Sequence, residues 1–180
     1  KLPINPHTGR MADSTDRETW ADSDTAMDRF SMGGYAGIGF VFSSAQLLDA
    51  SPMGRELTAM FVGNPEFANL PRKFNVTITG CTENCTHGES QDISLSPAQK
   101  EIGGEKVRGF NVAAGGKMGS GGYTIAIPLD VFVPLDEAAE ICGHITLLFR
   151  DHGSRGPRHK NRLAFLIQEW GAGKFRQELE

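Results

Sequence analysis

The order of two side-chain patterns most restricts the fold that this chain can adopt. In the middle third, four runs of alternating or β-branched residues predict strands, because side chains alternate between the two faces of a strand. Behind them, two apolar stripes at helical spacing predict helices. Strands followed by helices indicate an α+β domain, with a mixed or antiparallel sheet and helices packed on one side. The strand runs are residues 74–79, 92–96, 107–114 and 123–127, and the helices begin near residues 136 and 160.

The first fifty residues show no comparable pattern. Residues 1–50 are predicted to form an irregular N-terminal arm before an α+β domain of residues 51–180. The arm is acidic, with at most a short helix near residues 20–30, and residues 35–48 form either a short strand or a lining loop. A helix is expected at residues 52–62, where Leu57, Met60 and Phe61 share one apolar face.

Length, charge and cysteine content exclude several classes of protein. The 180 residues suit one domain of ordinary size, and the net charge of −4 argues against a nucleic-acid partner. No apolar run reaches the roughly 20 residues of a membrane span, so no membrane partner is expected. Three cysteines, an odd number, do not make a disulfide framework, which indicates a reducing cytoplasm.

A pair of hydrogen-bond donors lies at the start of the first predicted strand, within residues 69–75. Because side chains alternate, Lys73 and Asn75 point to one face of that strand. A lysine ammonium and an asparagine amide at this spacing form a compact donor pair for a small anion. A solvated sheet edge would carry the same residues, so the pattern alone leaves both interpretations open.

Glycine dominates the segment between the third and fourth predicted strands. Five of the eight residues from 115 to 122 are glycine. Glycine permits positive φ and lets a backbone approach a ligand closely. The segment is therefore either a ligand-binding loop or a long flexible hairpin loop.

Four blocks in the same order make the chain resemble the first half of siroheme-dependent nitrite and sulfite reductases of the ferredoxin-nitrite reductase type. The similarity covers about two-thirds of the chain, from about residue 57 onward. The blocks are Asn-Leu-Pro-Arg-Lys-Phe-Asn at residues 69–75 with the Gly-Cys motif of residues 80–87, then residues 109–119, residues 149–153 and residues 166–171.

The resemblance implies specific roles for residues of these blocks. Lys73 and Asn75 match the substrate-face pair, with Arg29 as the nearest match to a further catalytic arginine. Asparagine at the second position of the pair favours nitrite over sulfite. The residues that the resemblance places at the siroheme and its carboxylates are Arg72, Asn111, Gly115, Gly116, Lys117 and Gly119. Backbone N–H groups and cations suit such carboxylates.

The resemblance also implies an assimilatory oxidoreductase that reduces nitrite to ammonia with electrons from ferredoxin or another donor. A 4Fe-4S cluster in this family needs four cysteines, and Cys81, Cys85 and Cys142 do not match that set. No metal ligand is therefore assigned. The cluster is expected from a complementary half of the reductase, and this chain alone is expected to be inactive.

Two further interpretations remain open. A stand-alone tetrapyrrole-binding or regulatory module would keep the siroheme contacts without redox activity. A sulfite reductase or a precorrin-modifying relative would use the same framework on another substrate. A basic group around residues 150–162 either meets an acidic electron donor or caps the neighbouring helices.

Overall fold

A single mixed sheet organises the part of the chain that can be described. The computed structural model describes residues 28–31, 35–39, 45–84, 86–119 and 122–179. Within these ranges, six strands lie side by side in chain order. They are β1 (Asp28–Ser31), β2 (Tyr35–Gly39), β3 (Phe74–Ile78), β4 (Ile93–Ile102), β5 (Glu105–Ala114) and β6 (Ile127–Pro134).

The sheet is parallel in its centre and antiparallel at both sides. β2, β3 and β4 run parallel, while β1 and β2 and the series β4, β5 and β6 pair antiparallel. Parallel neighbours require crossover connections. The connection from β2 to β3 contains α1 (Ser51–Phe61), and residues 79–92 join β3 to β4. β4 and β5 form a hairpin whose turn is Gly103 and Gly104, both at positive φ.

In the part of the chain that the structure describes, the helices cover one face of this sheet. Besides α1, these are α2 (Ala138–His152) and α3 (Leu163–Gln177). Phe74, Val76 and Ile78 alternate onto the helix-covered face and join one buried cluster with side chains of all three helices. The ring of Phe74 stacks on that of Phe149 of α2, with centroids 5.4 Å apart. These observations confirm the predicted α+β fold with helices on one side.

The predicted elements at residues 52–62, 74–79 and 107–114 are confirmed with small shifts of their ends. The fourth strand prediction was wrong. Residues 123–126 contain only an isolated bridge between Thr124 and Lys117, and the strand begins at Ile127. Tyr123 and Ile125 alternate as a strand would, but both are largely exposed. Alternation in the sequence does not show whether a neighbouring element covers such apolar side chains.

The N-terminal arm is described only in part. β1 and β2 both lie before residue 50 and join the sheet, so this stretch contains regular structure. The short helix predicted near residues 20–30 conflicts with β1 at its end, and its remainder lies outside the described residues. The division of the chain at residue 50 stays a prediction. Among the described helices, none combines the length and the hydropathy needed to cross a bilayer.

A buried ion pair ties the sheet to α3. The Nε and Nη2 atoms of Arg162 donate to the two carboxylate oxygens of Asp92, at 3.0 and 2.6 Å. Both side chains are almost fully buried, at 1% and 0% exposure. Burial raises the pKa of the Asp92 carboxyl, and the Arg162 guanidinium opposes that rise. The two hydrogen bonds between the side chains offset the cost of burying both charges.

Removing one member of this pair is expected to destabilise the chain strongly. Asp92→Asn leaves the Arg162 guanidinium buried without its counter-ion, which costs about 3–5 kcal/mol. The matched control is Asp130→Asn, because Asp130 also pairs with an arginine, Arg176, but is 80% exposed. That control should cost less than about 1 kcal/mol. Urea unfolding of the two variants provides the comparison, and equal losses would contradict the expectation.

A backbone break divides α3. Gly171 has φ 77° and ψ 155°, a conformation essentially restricted to glycine. Gly171→Ala should therefore destabilise the chain by about 1–3 kcal/mol. Gly173→Ala is the matched control, since neither position has a neighbouring atom that a Cβ would meet and Gly173 has no positive φ. The control should be neutral or stabilising, and equal urea midpoints would refute the argument.

Candidate functional site

The face of the sheet opposite the helices carries polar side chains. Lys73, directly before β3, and Asn75, on β3, alternate onto this face and are half-buried, while Phe74 between them is buried in the core. Register extends the face to Ser96 of β4 and Asn111 of β5, which lie opposite each other and are exposed. The predicted alternation of the donor pair is therefore present in the structure.

A row across three strands links β1 to the donor pair. Arg29 lies opposite Gly37, and Gly37 lies opposite Asn75. The backbone register thus brings Arg29 to the same row as Asn75, with a residue that has no side chain between them. The sequence interpretation could name Arg29 but could not supply this register, because it depends on long-range strand pairing.

The C-terminal end of α2 holds the segment that leads into β3. The Arg155 guanidinium donates to the Asn69 backbone oxygen at 2.6 Å and to the Asn69 Oδ1 at 3.1 Å. The Arg150 Nη1 donates to the backbone oxygen of Glu66 at 2.8 Å. Gly153 lies so close to Pro71 that an added Cβ would come within 2.8 Å of its ring. The resembling blocks at residues 69–75 and 149–153 are therefore joined by direct contacts.

The glycine-rich loop begins beside the start of β4. The Gly115 N–H donates to the backbone oxygen of Asp92 at 2.8 Å. A Cβ on Gly116 would lie 2.4 Å from the backbone oxygen of Glu89, so only glycine allows this approach. The Ala126 N–H donates to the same Glu89 oxygen. Both ends of the loop are thus attached to residues 89–92.

Lys117 has a more internal position than a carboxylate-binding residue would need. It is 2% exposed, and its Nζ donates to the backbone oxygen of Gly122 at 2.9 Å. The ammonium also lies 5.0 Å from the centre of the Phe165 ring. By contrast, Gly119 is exposed, and Met118 beside it is 68% exposed. Lys117 therefore stabilises the loop in this structure, and its contact with a cofactor stays a prediction.

The cysteines do not assemble a metal site in the described residues. Cys81 is buried and its sulfur accepts the Glu83 N–H at 3.3 Å. Cys142 is buried among apolar side chains, and burial raises the pKa of its thiol well above the ordinary value. Cys85 lies outside the described residues. Across the described ranges, no three His, Cys, Asp or Glu side chains are arranged to hold a metal ion.

The basic group at residues 150–162 divides into internal and exposed members. Arg162 pairs with Asp92, and Arg155 holds Asn69. Two hydrogen bonds from Arg150 lower the pKa of the Asp151 carboxyl. Arg158, His159 and Lys160 are exposed, and so are His152 and Arg155. The sequence interpretation grouped all of these residues, and it missed the Asp92 partner because Asp92 lies 70 residues away from Arg162.

Relatives of this chain share its family and its fold. The family model described as "Nitrite and sulphite reductase 4Fe-4S domain" matches residues 36–180. An assimilatory ferredoxin-dependent nitrite reductase of Haloferax mediterranei is 39% identical over 136 residues, 75% of this chain and 23% of that protein. A ferredoxin–nitrite reductase of Synechococcus elongatus is 43% identical over 138 residues, 76% of this chain and 26% of that protein.

Solved structures give the same result. The Mycobacterium tuberculosis NirA protein matches with a TM-score of 0.71 and 31% identity, over 79% of this chain and 26% of that one. A dissimilatory sulfite reductase I shares the fold, with a TM-score of 0.62 and 12% identity over 80% of this chain. The chain spans about a quarter of the length of the curated relatives named above. The chain belongs to the nitrite and sulphite reductase 4Fe-4S domain family.

Proposed function

We propose that this chain supplies the substrate-anion and siroheme contacts of an assimilatory nitrite reductase, an oxidoreductase of which it forms one part. The observation that carries the proposal is the donor pair of Lys73 and Asn75. Lys73 directly precedes β3 and Asn75 lies on it; both are half-buried, and Arg29 occupies the row of Asn75. Donors held by a packed strand are preorganised for a small anion, and preorganised donors stabilise charge better than mobile surface groups.

Reduction of an anion requires groups that bind the anion and a source of protons, and the donor pair can provide both. When bound, siroheme supplies the iron centre at which the anion is reduced. The Lys73 ammonium would bind and orient the anion through charge-assisted hydrogen bonds, while the Asn75 amide adds an uncharged donor. A protonated lysine beside the anion is also a proton donor for the reduced product. Arg29 would add a second cation at this face.

The residues around the donor pair fit a tetrapyrrole with acidic substituents. The glycine-rich loop combines exposed apolar side chains, Met118, Tyr123 and Ile125, with the accessible backbone of Gly119. Apolar surface with a few polar groups is typical of cofactor sites. Arg72, which is half-buried, and Asn111, which is exposed, would add polar contacts. Gly115 and Gly116 fix the start of the loop beside Asp92. These features support siroheme as the cofactor of this face.

The iron–sulfur cluster does not fit the side chains of this part of the protein. Cys81 and Cys142 are buried separately, and the described residues hold no metal-binding group. We assign the cluster to the complementary half of the reductase, which is also the reason that we expect this chain alone to be inactive. The exposed residues Arg158, His159 and Lys160 are a basic surface suited to an acidic electron donor such as ferredoxin. A reducing cytoplasm remains the expected compartment.

A siroheme titration of the 180-residue chain tests this proposal. Visible absorbance should show saturable binding, and added nitrite should shift the spectrum of the complex. Lys73→Ala should weaken the nitrite response by about 10- to 100-fold, as expected for the loss of a charge-assisted hydrogen bond. Lys106→Ala is the matched control, since Lys106 is an exposed lysine of the β4–β5 hairpin. Absence of saturable binding, or equal responses of the two variants, would reject the proposal.

Asn75 should decide between nitrite and sulfite. Asn75→Lys adds a second cation to the donor pair. A second positive charge favours sulfite, which is the more highly charged of the two anions. We therefore expect the ratio of sulfite to nitrite affinity to rise by about tenfold, since one added charge pair at a half-buried site contributes on the order of 1 kcal/mol or more. Anion titrations of the siroheme complex give both affinities. An unchanged ratio would show that this position does not set the preference.

A further inference from the structure

Asp92 contacts both segments on which the proposed function depends. Its Oδ2 atom accepts the backbone N–H of Asn75 at 2.9 Å, and its backbone oxygen accepts the N–H of Gly115 at 2.8 Å. Asn75 belongs to the donor pair and Gly115 begins the glycine-rich loop. One fully buried residue therefore connects the anion-binding strand to the loop that faces the cofactor.

These contacts are made to main-chain atoms of both segments. Hydrogen bonds to the backbone fix where a segment lies, whereas contacts between side chains leave rotamers as an extra freedom. The Asn75 N–H lies at the beginning of β3, before the first paired residues of β3 and β4, Val76 and Ile93. The Asp92 carboxylate thus extends the attachment of β3 to β4 by one residue, to the position of the donor pair.

The ion pair with Arg162 makes a carboxylate compatible with this position. Lys73 lies near enough to Asp92 to lower the pKa of its carboxyl, so an uncompensated charge on Asp92 would also weaken an anion at Lys73. Arg162 pairs with Asp92 in a bidentate manner and cancels its charge. The electrostatic potential at the donor pair is then set by the Lys73 ammonium rather than by the Asp92 carboxylate.

We infer that Asp92 is a positioning residue that fixes the donor pair and the glycine-rich loop relative to each other, with Arg162 as its charge-balancing partner. The expected effect on cofactor binding rests on the proposed function, in which both segments contact one bound cofactor. The geometry of the two backbone contacts is independent of that function. Asp92 itself touches neither substrate nor cofactor in this assignment.

Two double variants of equal net charge separate positioning from charge and from folding. Asp92→Leu with Arg162→Met replaces the pair by apolar side chains of similar size, a change that buried ion pairs often tolerate. It removes the acceptor of the Asn75 N–H. Asp92→Asn with Arg162→Gln keeps a neutral acceptor at the same place. A surface control, Asp130→Asn with Arg176→Gln, removes an exposed ion pair elsewhere.

The measurements are siroheme affinity by absorbance and amide hydrogen exchange at Asn75 and Gly115, with circular dichroism to establish that each variant is folded. In the apolar variant we expect about tenfold faster exchange at Asn75, which loses its acceptor, and about tenfold weaker siroheme binding. The Gly115 amide keeps the backbone oxygen of residue 92 as its acceptor and is the internal reference. The amide-bearing variant, Asp92→Asn with Arg162→Gln, should restore both values towards those of the unsubstituted chain. The surface control should leave both unchanged.

Each other outcome is decisive. Unchanged exchange at Asn75 in a folded apolar variant would show that the Asp92 carboxylate does not hold the donor pair, and unchanged siroheme affinity in that variant would show that the contact does not serve the cofactor. Either result overturns the inference. If the unsubstituted chain itself fails to bind siroheme, the proposed function fails, and the exchange rate at Asn75 still decides whether Asp92 positions the donor pair. If the apolar variant is unfolded, the amide-bearing variant is compared with the surface control. Faster exchange at Asn75 in the amide-bearing variant would then overturn the inference, because an acceptor remains at residue 92.

Discussion

Alternation along β3 determines the arrangement of the candidate site. Phe74, Val76 and Ile78 are buried against the helices, and Phe74 stacks on Phe149. This packing holds one face of the strand in place, so Lys73 and Asn75, on either side of Phe74 in the sequence, face the opposite side. A shift of one residue would exchange the two faces and expose the aromatic ring. The same core contacts therefore stabilise the fold and orient the donor pair.

The blocks that distinguish this family are also connected to one another in space. Arg155 and Gly153 hold the segment before β3, and Asp92 attaches β3 to the glycine-rich loop and to the start of α3. The buried Asp92–Arg162 pair is essential to this network, because a lone buried charge would be costly. Motifs that are separate in the sequence are thus connected by one network of contacts next to the polar sheet face.

This chain corresponds to one segment of its curated relatives. Its polar sheet face and glycine-rich loop belong to a segment that covers about a quarter of the curated relatives. The substrate contacts that we propose rest on Lys73 and Asn75, two residues of this chain.

The sequence by itself determined the α+β class, most helices and strands, and the opposite faces of Lys73 and Phe74, because these follow from local periodicity. It also identified the family through four short blocks. Only the tertiary structure decided the row of Arg29 with Asn75, the burial of Lys117 and the pairing of Asp92 with Arg162. It also showed that Tyr123 and Ile125 lie outside a strand. These features depend on contacts between residues far apart in the chain, whose geometry no local pattern contains.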